Sequence, residues 1–145
     1  MNRRAAWILT LSACWSGCLA GCGSGAEEVS NSEYLLGLLR AKWQAVRSDL
    51  PGSQPDLNVF RSIHDLLSRR VSQRIEKDYN AANKQQVLAK LEALRQGYEA
   101  GISARLDYQS PAVRLRSGAT LDQIRKAFAE LDVQYVEIER LLDSR

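Results

Sequence analysis

The side chains that could carry out covalent or metal chemistry are few and lie in the first half of the chain. Cysteines stand at four-residue intervals at Cys14, Cys18 and Cys22, and His64 is the single histidine. That cysteine spacing fits no zinc or haem-attachment pattern, since no histidine follows the cysteines closely. We therefore expect no metal ion at these cysteines and no cofactor in the protein.

His64 has no sequence neighbours that would make it a catalytic or metal-binding residue. A di-iron helical bundle places a glutamate three residues before the histidine, and Arg61 occupies that position. Asp65 is the nearest carboxylate, but adjacent residues of a helix do not face one another. The sequence also contains no nucleophile elbow, phosphate-binding loop or dinucleotide fingerprint. We expect no catalytic residues, and we interpret His64 as a polar residue at the rim of a core.

Residues 1–21 have the three zones of a secretory signal peptide. Arg3 and Arg4 form a basic start, residues 5–20 form a largely apolar run, and small residues end the segment. The run is about 16 residues long and contains serine, threonine and glycine, whereas a lasting membrane-spanning helix needs roughly 20 apolar residues. We therefore expect this segment to be removed after export.

The end of the segment, Leu19-Ala20-Gly21-Cys22, resembles the lipobox of bacterial lipoproteins. The resemblance implies cleavage between Gly21 and Cys22, a diacylglycerol on the Cys22 thiol, and often a further acyl chain such as palmitate on the new amino group. Two or three acyl chains hold a protein on a bilayer firmly, because each buried methylene contributes about 0.8 kcal/mol. The alternative is an ordinary secretory signal that happens to contain cysteines.

A lipobox implies a location outside the cytoplasm, on a bacterial membrane. In some Gram-negative bacteria an aspartate after the lipidated cysteine retains the protein at the inner membrane, and this chain has Gly23 there. The resemblance therefore favours the periplasmic face of an outer membrane. Residues 22–29 would form the lipidated cysteine and a flexible tether of at most about 25 Å.

Length and composition predict one folded domain over residues 30–145. The chain has 145 residues, of which 45% are hydrophobic, and this is enough for a single packed core. Its net charge is +3, and without Arg3 and Arg4 it has 18 basic and 17 acidic side chains. Because this balance creates no strong positive field, we expect no nucleic-acid partner.

Four amphipathic patterns predict an all-α fold, an antiparallel bundle of about four helices. Ser30 and Glu33 match a capping box that would start the first helix, and Asp56 is the expected cap of the second. Residues 80–84, "NAANK", are interpreted as a turn between the second and third helices, because asparagines compete with helix; one continuous helix is the alternative.

The third helix contains Gly97 and Gly101, which we interpret as a close packing contact in the bundle. The last helix begins at a second capping box, Thr120 to Gln123, and has a heptad stripe over residues 121–142. We interpret the stripe as a core seam. The alternative is a homo-oligomer formed through residues 121–142.

The connection 107–119 is unusually long for a helical bundle. It has 13 residues, whereas helix-to-helix links usually have about 2 to 8. It contains Pro111 and Gly118 and alternates apolar with basic residues, so a short extended piece is expected. Long loops often carry function, and this segment is the first place to expect a partner contact.

Six basic residues form the candidate contact for anionic lipid headgroups, lipopolysaccharide or an acidic partner. Four of them belong to the second helix and two to the long connection: Arg69, Arg70, Arg74, Lys77, Arg114 and Arg116. The alternative is a solvated helix face paired with nearby carboxylates.

The sequence thus predicts a membrane-anchored envelope lipoprotein that acts without catalysis, as an interaction or scaffold subunit with an envelope protein as partner. A carrier or binding module for a lipidic or anionic ligand is the alternative. A hydrolase of envelope material is disfavoured, because no nucleophile and base are recognisable.

Overall fold

The computed structural model describes residues 31–144, and at Arg69 it describes the backbone alone. The predicted signal peptide (1–21) and the predicted lipidated cysteine and tether (22–29) lie outside the described residues. The proposed cleavage site between Gly21 and Cys22 lies outside them as well. The domain predicted for residues 30–145 is described almost throughout.

Four helical rods and one small β-hairpin make up the described chain. The elements in chain order are α1 (Ser32–Asp49), α2 (Asn58–Asp65), a π-helical turn (Leu66–Arg70), α3 (Val71–Asp78), α4 (Lys84–Gly101), a 3-10 turn (Ser103–Arg105), β1 (Leu106–Asp107), β2 (Arg114–Leu115) and α5 (Leu121–Asp143). Helix α2, the π-helical turn and α3 follow one another without a break and form the second rod. The predicted all-α helical bundle is therefore confirmed.

The first two helix starts differ from the predicted ones by one residue. Asn31, not Ser30, is the N-cap of α1, and its side-chain oxygen accepts a hydrogen bond from the Tyr34 backbone N–H at 2.9 Å. Asp56 lies one residue before the cap of α2, and its Oδ1 accepts the backbone N–H of Asn58 at 2.9 Å. Asn and Asp are common at helix starts and turns because their short side chains can accept nearby backbone N–H groups. Both predicted helix starts are therefore present, each one residue away from its predicted position.

Two other boundaries agree with the prediction. Thr120 and Gln123 form the complete capping box at the start of α5. The second rod ends at Asp78 and α4 begins at Lys84, so residues 80–84 contain the predicted turn. The Asn83 side chain donates to the Leu141 carbonyl oxygen at 2.7 Å, and this contact ties the turn to the end of α5.

The apolar faces of the four rods meet in a single core. The heptad stripe of α5 is buried there, at Ile124, Phe128, Leu131, Tyr135, Ile138 and Leu142. The stripe is therefore a seam inside the chain, and a second copy would have to bind other residues of α5. Within residues 31–144 no helix is long and apolar enough to cross a membrane.

Trp43 joins α1 to α5 at the centre of this core. Its side chain is completely buried, and its ring stacks on Tyr135 with 4.5 Å between ring centroids. The indole N–H donates to Asp132 Oδ1 at 2.8 Å, and Arg47 donates to the same carboxylate oxygen at 2.6 Å. The polar edge of the indole is thus satisfied where its ring fills the core.

The two glycines of α4 bring this helix close to α5, as predicted. A Cβ atom at Gly97 would lie 2.8 Å from Leu131 Cδ2, and one at Gly101 would lie 3.1 Å from Ala127 Cβ. Both distances are shorter than ordinary carbon contacts of about 3.5 to 4.0 Å. The close approach is made inside the bundle, between α4 and α5.

The antiparallel rods give the bundle two distinct ends. The tether end contains Asn31, the turn 79–83 and the end of α5, joined by hydrogen bonds from the Ser32 backbone N–H to Asp78 and from Asn83 to α5. The hairpin end contains the β-hairpin and the starts of α2 and α5. Because α5 has 23 residues, the two ends are about 35 Å apart.

Candidate interaction site at the hairpin end

The connection 107–119 contains all of a β-hairpin except its first residue, Leu106, which follows the 3-10 turn after α4. The strands pair antiparallel, with Leu106 opposite Leu115 and Asp107 opposite Arg114. Side chains alternate between the two faces of a strand. Leu106 is fully buried and Leu115 packs against the core, so Asp107 and Arg114 lie on the outward face. The alternation of apolar and basic residues therefore did predict a short extended piece.

Arg61 of α2 holds the tip of the hairpin. One terminal nitrogen of its guanidinium donates to the carbonyl oxygens of Tyr108 at 3.1 Å and Ser110 at 2.6 Å. The other donates to the Pro111 carbonyl oxygen at 3.3 Å. Hydrogen bonds from a charged donor are stronger than neutral ones. The loop is consequently fixed to α2, although it has little regular structure of its own.

Two further side chains bind the loop backbone. Asn58 Oδ1 accepts the Val113 backbone N–H at 3.0 Å. Asp107 accepts the Gln109 backbone N–H at 2.9 Å and the Ser110 hydroxyl at 3.0 Å. These two hydrogen bonds lower the pKa of Asp107, with a smaller contribution from nearby arginines, so that its carboxylate stays ionised while it shapes the turn.

A histidine and a serine meet beside the hairpin, which sequence reasoning did not predict. His64 Nδ1 lies 3.1 Å from Ser103 Oγ, and Ser103 Oγ lies 3.1 Å from the Tyr108 hydroxyl oxygen. The rings of His64 and Tyr108 stack with 4.8 Å between centroids. Burial raises the pKa of Tyr108, so its phenol stays protonated and can donate. His64 and Ser103 lie 39 positions apart in the chain, too far for any local spacing rule to connect them.

A serine beside a histidine is the pairing that activates hydroxyl nucleophiles, but a hydrolase also needs donors for the oxyanion and a cleft for the substrate. Tyr108 covers one face of the His64 ring, and the two depressions beside the hairpin are lined by other residues. We interpret the three side chains as a support that fixes Tyr108, and with it the hairpin, to the helices.

The outward face of the hairpin is basic. Two shallow depressions of about 480 and 390 Å³ adjoin one another at Arg116 and Ser117, which line both. The first is also lined by Asp107 and Arg114, and the second by Arg105. Arg114 and Arg116 therefore lie beside the Asp107 carboxylate at the first depression, and Arg105 adds a third positive charge at the second.

The six basic residues that the sequence groups together fall into two places. Arg70, Arg74 and Lys77 lie on the second rod, and the side chain of Arg69 lies outside the described part. Arg74 Nε lies 3.7 Å from Asp78 Oδ2 in an ion pair. The hairpin that carries Arg114 and Arg116 is bonded to Asn58 at the start of α2, about 18 to 29 Å back along the same rod. The five whose side chains are described do not form one continuous patch.

A groove of about 720 Å³ opens at the tether end, and its volume is in the range of ligand pockets. Several polar groups that line it are already engaged in hydrogen bonds within the bundle. Asn31 caps α1, both Asp78 oxygens accept the Ser32 N–H at 3.2 Å, and Asn83 donates to the Leu141 carbonyl oxygen. Its charged lining side chains are carboxylates. This lining does not favour an anionic ligand.

A search for metal sites in the described chain and comparisons with known proteins point to no further site. Among residues 31–144, no group of three or more histidine, cysteine, aspartate or glutamate side chains is arranged to hold a metal ion. No protein-family model, curated protein or solved structure matches the chain. The hairpin end is therefore the candidate site on its own geometry.

Replacing Arg61 with alanine is expected to loosen the hairpin while leaving the bundle folded. Three carbonyl oxygens lose their charged donor, and a hydrogen bond to a charged group contributes about 1.5 to 3 kcal/mol. Amide hydrogen exchange in residues 107–116 should become about tenfold faster or more. Arg95→Ala is the matched control, because that arginine pairs with Glu92 and Glu99 on its own helix; equal exchange in the two variants would contradict the role given to Arg61.

Proposed function

We propose that this chain is a lipid-anchored protein of the bacterial envelope that acts without catalysis, as an interaction or scaffold subunit, with the hairpin as its contact surface. One observation carries the proposal. The hairpin is fixed to the bundle, exposes Ala112 and Arg114, and lies at the end opposite Asn31, from which the chain leads back to Cys22.

The lipobox supports the membrane part of the proposal. Eight residues separate Cys22 from Asn31, so a lipid on Cys22 would hold the tether end within about 30 Å of the bilayer. The bundle adds about 35 Å between its two ends. With the tether end towards the lipid, the hairpin faces away from that membrane and towards partners elsewhere in the envelope.

The rigidity of the hairpin supports the contact role. Ordering a loop on binding costs about 0.5 to 1.5 kcal/mol for each immobilised side chain. Here Arg61, Asn58 and Asp107 already order the backbone of the loop. A partner would therefore meet a preformed surface, and less of the interaction energy would be lost to ordering.

The proposal is tested by site-specific photo-crosslinking in cells of the source bacterium. A photoreactive residue at Ala112, at the hairpin, is expected to give a discrete crosslinked protein band. The same residue at Ala93, which is exposed in the middle of α4, should not give that band. The Arg61→Ala change should weaken the Ala112 product. Equal products at both positions, or none, would count against the hairpin as a contact surface.

A binding module remains the second candidate, because the groove at the tether end is large enough for a small ligand. Its acidic and amide-rich lining favours a polar or cationic ligand over an anionic one. A photoreactive residue at Ala82, in the groove lining, distinguishes the two candidates. A small-molecule mass increment at Ala82, without a protein product at Ala112, would favour the binding module.

A further inference from the structure

We propose that the hairpin binds an acidic peptide segment of its partner in extended conformation, through Arg114 and Arg116. The inference rests on the proposed role of the hairpin as a contact surface, and it names the chemistry of the partner. Three features carry it: the spacing of the two arginines, the excess of their positive charge over the neighbouring Asp107 carboxylate, and the position of the hairpin in the bundle.

The spacing of the two arginines matches an extended peptide. Arg114 lies in β2 and Arg116 follows it by two residues, with its backbone N–H bonded to the Arg105 carbonyl oxygen at 2.9 Å. The pairing continues one residue past β2, so both side chains leave the same outward face, about 6.5 to 7 Å apart along the strand. Carboxylates on alternate residues of an extended acidic segment repeat at the same distance. Each guanidinium can then take one carboxylate in two parallel hydrogen bonds.

Both guanidinium groups are available for such a contact. Arg114 is exposed and makes no hydrogen bond or ion-pair contact among the described residues; it attracts the Asp107 carboxylate, its neighbour across the hairpin, electrostatically. Arg116 is also exposed; its Nε donates to the Leu106 carbonyl oxygen at 2.9 Å, which orients the side chain and leaves its terminal nitrogens without a partner in the described chain. The Asp107 carboxylate lies beside them, but its oxygens accept hydrogen bonds from Gln109 and Ser110.

Other surface arginines of the bundle are paired differently. Arg95, Arg125 and Arg140 each form an ion pair with a carboxylate three or four residues away on their own helix. Such pairs neutralise the surface locally. The two hairpin arginines share the cross-strand carboxylate of Asp107, so this surface keeps a positive charge that can attract and orient an anionic partner.

The position of the hairpin favours a peptide over a lipid surface. The hairpin lies about 35 Å from the tether end, so a bundle with its tether end towards the lipid would present this surface on the side away from its own membrane. Two arginines on one strand also present a narrow row of charge, whereas a bilayer offers a broad plane. An extended acidic segment fits the row.

The test uses the purified full-length chain in a non-ionic detergent and a fluorescent decaglutamate peptide, with binding followed by anisotropy at low ionic strength. The double variant Arg114→Ala/Arg116→Ala is expected to weaken binding at least about fivefold. Arg70→Ala/Lys77→Ala removes the same charge from exposed positions of the second rod, and it should change binding less than twofold. Circular dichroism checks that both variants keep their helical content.

Three results would overturn the inference: no binding of the peptide at low salt, an equal loss in both double variants, or preference for vesicles of phosphatidylglycerol over the peptide with the same dependence on Arg114 and Arg116. The assay does not require membrane anchoring or a cellular partner. Peptide binding without a crosslink at Ala112 would support the peptide-binding site and contradict the proposed role of the hairpin as a contact surface in cells. A crosslink at Ala112 without peptide binding would support the contact-surface role and contradict the peptide-binding site.

Discussion

Replacing Trp43 with alanine is expected to lower the free energy of unfolding by about 3 to 5 kcal/mol. The side chain is fully buried, stacks on Tyr135 and lies 4.9 Å from Phe128 between ring centroids. Its removal leaves a cavity between α1 and α5 and deprives Asp132 of a hydrogen-bond donor. Because small domains are stable by only about 5 to 15 kcal/mol, this single change should bring the bundle close to unfolding.

The measurement is urea denaturation followed by circular dichroism at 222 nm. Val133→Ala is the matched control, because Val133 lies on α5 next to Asp132 but is 70% exposed. Its expected effect is within about 0.5 kcal/mol. A loss of less than about 2 kcal/mol for Trp43→Ala, or equal losses in the two variants, would contradict the packing described for this core.

The fold could be predicted from the sequence wherever the signal is local. The heptad stripe of α5 and the Thr120 capping box are complete within their own segment, and both are found as predicted. The turn within 80–84 follows from two asparagines that are poor helix formers. In each case the residues that decide the structure lie within one or two helical turns of one another.

The helix starts show the limit of local signals. At α1 two polar residues, Ser30 and Asn31, both suit the cap, and the structure uses Asn31. At α2 the aspartate forms a turn one residue before the cap. Short polar side chains bind backbone N–H groups two or three residues ahead in several related geometries, and sequence alone does not select among them.

The candidate site depends on contacts between distant residues, and most of these had no sequence signal. Arg61 binds carbonyl oxygens 47 to 50 residues later in the chain, and carbonyl oxygens carry no residue identity that a pattern could detect. His64 meets Ser103 only because α2 packs beside the end of α4. Their pairing follows from tertiary packing, which composition and periodicity do not describe.

Grouping the basic residues by charge alone was misleading for the same reason. Arg70 and Arg114 are similar as charges, but one lies on the second rod and the other on the hairpin. What identifies the hairpin pair is the alternation with Val113 and Leu115, which are inward-facing residues. A strand places alternate residues on opposite faces. This alternation predicted the extended segment, and the structure shows that its outer face carries the basic residues.

Labelled palmitate is expected to be incorporated into the wild-type chain in growing cells and not at all into Cys22→Ser. A thioether-linked diacylglycerol requires the Cys22 sulfur, and a serine hydroxyl does not replace it. Cys18→Ser is the matched control, because Cys18 lies four residues earlier, inside the predicted signal peptide. It should leave labelling unchanged. The intact mass of the mature protein gives a second measurement, since it should begin at Cys22 and include the added lipid.

The labelling result also decides how the domain is held in the envelope. With two or three acyl chains, each methylene contributes about 0.8 kcal/mol and anchoring is effectively permanent, whereas one chain holds only marginally. No helix within residues 31–144 is long and apolar enough to cross a membrane, and the proposed function assigns the attachment to lipid on Cys22. A mature protein that carries no lipid and fractionates with soluble proteins would refute the anchor, while the fold and the hairpin site would stand unchanged.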